Sequence, residues 1–130
     1  MGPPIQDVVE QICRRYPRYA DRAFLFVLES LHQRIAVLDA PRHISGPELA
    51  DAARELAIER FGPLARIVLE HWGIHGTSDI GEIVFLLIDR GVLTKRESDR
   101  KEDFDGLFSF EEAFEADYPW GGAIVPRKTG

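Results

Sequence analysis

His71 and His75 stand four residues apart in "HWGIHGTSDIGEIVF", residues 71–85, and the acids Asp79 and Glu82 follow at once. On an unbroken helix, imidazoles at i and i+4 aim at one metal ion, the arrangement by which a zinc enzyme holds and activates water. His71, His75 and Asp79 are therefore the candidate metal ligands, and Glu82, His32 and His43 could join them only if folding brought them in. Gly73 weakens the pattern, because a glycine between the histidines marks a helix end. The plainer reading places His71 near the carbonyl end of one helix and His75 in a turn. Asp79 and Glu82 then sit in the first turn of the next helix, where a carboxylate meets the positive end of the dipole. As a catalytic acid and base they would lack an adjacent nucleophile or phosphate loop.

Three other groups carry chemical potential. Cys13, the one cysteine, shares an apolar stripe with Val9 and Tyr16 and reads as an inert thiol in a reducing cytoplasm. Arg14, Arg15, Arg18 and Arg22 form a basic cluster around Tyr16 and Tyr19, the candidate surface for an anion or nucleic acid. In "DFDGLFSFEEAFEADYPW" acids alternate with Phe104, Phe108, Phe110, Phe114, Tyr118 and Trp120, and no Lys or Arg falls between Asp103 and Trp120. Such a segment lays its rings either into the protein's own core or into an apolar groove of a partner with a basic rim. These six aromatics are the candidate partner-binding residues.

The elements that must position these residues are helical. In "PPIQDVVEQICRRYP" the apolar residues recur at three- and four-residue spacing up to Pro17, and Tyr19 to Leu38 repeat the pattern before Pro41. Ser45 followed by Glu48 predicts a capping box at the start of a third helix, with Leu49, Ala52, Ala53 and Leu56 facing inward. Pro63 opens a fourth helix that Gly73 closes. Thr77 or Ser78 is the expected cap of a fifth, which buries Ile80, Ile83, Val84, Leu87 and Ile88 and ends at Gly91. Gly81, inside that helix, costs about 1 kcal/mol relative to alanine and suggests that another part of the chain approaches closely there. "VLTK", residues 92–95, and "LFSF", residues 107–110, are the candidate strands of a small hairpin.

The expected fold is thus mainly α, a compact bundle of about five helices, with a winged-helix-like β-hairpin after the fifth as its elaboration. A single helical domain spans residues 1–118, and residues 119–130 form a flexible tail. Helix, tight turn, helix and wing would be a nucleic-acid-binding order. The charge opposes it: the chain carries 16 basic and 22 acidic residues, a net charge of -6, and Asp79 and Glu82 stand where phosphates would approach. The longest apolar runs, such as residues 83–88, fall far short of the roughly 20 residues that span a bilayer.

"YADRAFLFVLESL", "RHISGPEL", "FGPLARIVLEHWGIHGTSDIGEIVFLLIDRGVLTK" and "DFDGLFSFEEAF" together resemble a family of small uncharacterised bacterial proteins restricted to planctomycete and verrucomicrobial lineages. Ile80 departs from that pattern, which has Phe there. The resemblance covers most of the chain and implies a bacterial, intracellular, single-domain protein, with no catalytic residue to carry over. The favoured function is a non-enzymatic interaction or adaptor module without a cofactor, binding a partner protein or a second copy of itself. A winged-helix-like nucleic-acid regulator using the four arginines is second, and a metal-dependent enzyme using His71, His75 and Asp79 is third.

Overall fold

The computed structural model describes residues 4–116; Tyr118, Trp120 and the expected tail at 119–130 lie outside the described residues. Five helices follow one another: α1 (Ile5–Arg15), α2 (Asp21–Ala36), α3 (Gly46–Phe61), α4 (Ala65–His71) and α5 (Thr77–Asp89). A 3-10 turn at Lys101–Phe104 and a wide helical turn at Glu112–Ala116 come after them.

The apolar periodicity decides which faces meet. Val8, Val9 and Ile12 turn α1 inward, whereas Ile5 and Tyr16 at its two ends are exposed. The centre of the core is the α2–α3 pair. Ala23, Phe24, Val27 and Leu28 of α2 are buried, as are Leu49, Ala50, Ala53, Leu56 and Ala57 of α3. The alanines let the helix backbones come close, and Phe24 and Leu56 are among the large side chains of the core. Phe26, Phe61 and Trp72 form an aromatic cluster with ring centroids 5.6–6.2 Å apart, joining α2, the end of α3 and the end of α4. Ser30, fully buried in α2, donates its hydroxyl to Phe26 O at 2.9 Å and so leaves no orphaned group.

Helix ends follow the expected chemistry in most places. Ser45 Oγ accepts the Glu48 amide at 3.2 Å, and Glu48 Oε1 accepts the Ser45 amide at 2.9 Å, completing the capping box of α3. Both α4 and α5 stop in the same way. Gly73 at φ +97° and Gly91 at φ +77° turn the chain out of the helix. The amides of Ile74 and Val92 then reach back to Leu69 O and Leu87 O, at 2.9 and 3.0 Å. This is the six-to-one bond of a Schellman motif, and it satisfies carbonyls that a helix end leaves open.

Two expectations change. Neither Thr77 nor Ser78 caps α5; Gly76 is the residue before its first turn, and the Thr77 hydroxyl is used elsewhere. The β-hairpin is not formed: the described residues contain no strand, so the winged-helix elaboration is not supported. The reason lies at residues 92 and 93, whose amides are drawn to Leu87 O by the end of α5 instead of entering a ladder. The rings of Phe108 and Phe110 meanwhile stack on each other at 6.3 Å, and the Ser109 hydroxyl between them accepts the Glu112 amide at 3.1 Å and starts the last helical turn.

Candidate functional site

The cluster that first suggested chemistry is built as a structural joint. Asp79 is buried at the start of α5. Its Oδ1 accepts the Tyr19 hydroxyl at 2.6 Å and the Arg18 guanidinium at 2.8 Å, and its Oδ2 accepts the His75 amide at 2.8 Å. The carboxylate is thereby met by a phenol, a cation and a main-chain N–H, which is what a buried charge requires. Burial, then the bond to Asp79, push the Tyr19 hydroxyl well above the usual phenol range. The joint is tightened where Ala20 N donates to Trp72 O at 3.0 Å. Beside it, a Cβ at Gly73 would lie only 2.5 Å from Arg18 O.

This geometry separates the candidate metal ligands. His71 and His75 are exposed on either side of the left-handed Gly73, while Asp79 is sealed beneath Tyr19. Among the described residues no group of three His, Cys, Asp or Glu side chains is placed to hold a metal ion. Glu82 points elsewhere, to Lys101 Nζ at 3.6 Å. Of the basic cluster, Arg14, Arg15 and Arg22 are exposed, and Arg18 is committed to Asp79. The start of α5 is no free recognition surface, because Thr77, Asp79, Ile80 and Gly81 are all buried. Cys13 is half-buried, its thiol donating to Tyr19 O at 3.6 Å, and burial with nearby Asp21 and Glu10 pushes its pKa up.

The aromatic segment is largely interior. Phe104, Phe110 and Phe114 are buried, and Phe108 is half-buried. Phe110 and Phe114 meet edge to face at 5.0 Å. The buried three complete the protein's own core, the first of the two placements the segment allowed. Phe104 has a second task. Its ring lies against two glycines, so that a Cβ at Gly81 would come within 2.8 Å of it and a Cβ at Gly46 within 3.1 Å. The close approach suggested by Gly81 is therefore made by an aromatic side chain. Thr77 Oγ1 donates to Phe104 O at 2.6 Å and accepts the Leu107 amide at 3.2 Å, pinning the segment to α5.

Around Phe104 the helices leave a pocket of about 240 Å³. Leu31 and Ile35 of α2 line it, with Ile44 and Leu49 from the start of α3. Val84, Phe85 and Ile88 of α5 form the facing wall, and Leu93 and Phe104 complete it. Polar residues gather from the two chain segments at its edge: Arg42, His43 and Ser45 before α3, and Lys95, Asp99, Arg100 and Asp103 after α5. The two segments are tied together, because His43 Nε2 stands 2.7 Å from Asp99 Oδ2. Arg42 pairs with Glu48 at 2.7 and 3.0 Å, holding that carboxyl down at about 2, well below the usual carboxylate range. The sequence pattern did not disclose this pocket. A signal existed in Phe85, which lies off the expected buried stripe of α5 yet remains apolar, and in Ile35, which α2 leaves 39% exposed.

No known protein family, curated protein or solved structure matches the chain. No helix among the described residues is long and apolar enough to cross a membrane.

Proposed function

We propose that the chain is a non-enzymatic binding module, and that it binds a small, largely apolar molecule in the pocket between α2, α3 and α5. The observation that carries this reading is the pocket's composition: apolar walls from three helices, with polar side chains collected at one edge. Water in such a space finds few hydrogen-bond partners on the walls, so its displacement by an apolar group is favourable. The other clusters are already occupied in structural work. Asp79 holds the α4–α5 joint, and Phe110 and Phe114 pack into the core. The size argues for a small molecule over a docked helix, which needs several anchors spaced along a groove.

The test is an NMR titration with 1-octanol as an uncharged probe. Shifts should concentrate at Leu49, Val84, Phe85 and Ile88. Ile35→Trp, at a partly exposed position on the wall, should fill the pocket and weaken binding about tenfold or more with helical circular dichroism unchanged. Octanol shifts scattered over the surface, or undiminished binding to Ile35→Trp, would sink the reading.

A further inference from the structure

The charges at the pocket edge are unequally engaged, and the inequality bears on what the pocket takes. Given the binding reading above, it bears on the ligand's polar group. Two of the three acids at the edge are held by a basic side chain. Glu48 is held by Arg42 and by the Ser45 amide. Asp99 is held by His43 at 2.7 Å and by the Arg96 amide at 2.8 Å. Asp103 accepts only the Arg100 main-chain amide, at 3.0 Å, and forms no ion pair among the described residues, so one carboxylate stands against the cations that remain. The positive end of α3 is met by Glu48, so the helix dipole is not the remaining attraction. Two cations are left: neither Lys95 nor the Arg100 guanidinium forms an ion pair among the described residues, and the Lys95 ammonium donates only to Arg96 O at 3.2 Å. Both are exposed residues lining the pocket.

We infer that the pocket binds a small apolar carboxylic acid, its hydrocarbon body against Leu49, Val84 and Ile88 and its carboxylate at Lys95 and Arg100. A guanidinium offers a carboxylate two parallel N–H donors, and an ammonium adds a mobile point charge. An apolar amine would meet two like charges, and an alcohol would forgo the charge-assisted bonds. The volume of about 240 Å³ lies below the range of drug-sized pockets and suits a body of about ten non-hydrogen atoms. Octanoate is the probe of this description.

Octanoate, 1-octanol and octylamine are titrated into the full chain, into Ile35→Trp and into the double variant Lys95→Glu with Arg100→Glu. Octanoate should bind about tenfold more tightly than octanol at low salt, and the gap should shrink as salt is added. The double variant should abolish or invert that gap, and in the wild-type chain octylamine should bind most weakly of the three. Equal octanoate and octanol affinities, or a gap that survives the double variant, overturn the carboxylate assignment; if Ile35→Trp still blocks octanol, the apolar pocket stands. Absence of binding by all three compounds, or octanoate binding indifferent to Ile35→Trp, overturns both.

Discussion

The two ends of α5 are finished in opposite ways. At the N-terminal end both buried polar side chains are answered: Asp79 receives Tyr19, Arg18 and the His75 amide, and Thr77 serves Phe104 and Leu107. Toward the C-terminal end Val84, Phe85 and Ile88 face a space that no side chain among the described residues fills, with two cations at its edge that lack acid partners among those residues. One helix thus contributes a saturated joint and an unsaturated pocket. Function is to be sought at the pocket, because the Asp79 carboxylate is buried and already holds three donors, whereas an apolar wall that faces open space can take a ligand.

The sharpest way to break the comparison is at the closed end. Gly73→Ala forces a side chain into a left-handed backbone and against Arg18 O, and should cost about 3 kcal/mol or more, read from the urea midpoint. Asp79→Ala should follow at about 2–3 kcal/mol, since it strands the Tyr19 hydroxyl and the His75 amide. The same variant should let Tyr19 ionise at lower pH than in the wild type, seen by ultraviolet titration, because the bond to Asp79 helps to hold the phenol protonated. A stability loss below about 0.5 kcal/mol from either change would show that the joint is not sealed.

Gly81→Ala probes the link between the ends. Crowding against Phe104 should outweigh the helix-propensity gain of about 1 kcal/mol, leaving a net loss of about 1 kcal/mol and a weaker octanol site. The smallest effect belongs to Glu48 at the pocket edge. Its folded pKa is depressed, so its contribution is full above about 4.5 and fades as pH falls toward about 2. Glu48→Gln should flatten that acid limb of the stability profile, by less than about 1 kcal/mol because the pair with Arg42 is largely solvated.

Much of the scaffold was legible in the residues themselves. Ser45 and Glu48 announced the start of α3, Gly73 and Gly91 announced two helix ends, and the inward faces of α3 and α5 followed from their spacing. Those signals are local, carried by residues within one or two turns of each other. What escaped is tertiary. Residues 92–95 have the composition of a strand, but the carbonyl of Leu87 captures the amides of Val92 and Leu93 first. Thr77 looked like a cap, and its hydroxyl is instead drawn 27 residues along the chain to Phe104 O. The pocket is assembled from residues 31 to 104, a span over which periodicity carries no information.

The ring of Phe104 rests against glycines on two different helices, and it also lines the pocket. It therefore works as a gauge of the distance between α3 and α5: the ring seats only at one separation, set by the missing Cβ atoms of Gly46 and Gly81. Thr77, in the first turn of α5, holds the Phe104 carbonyl, so one phenylalanine touches the pocket, both glycines and the closed end of the helix.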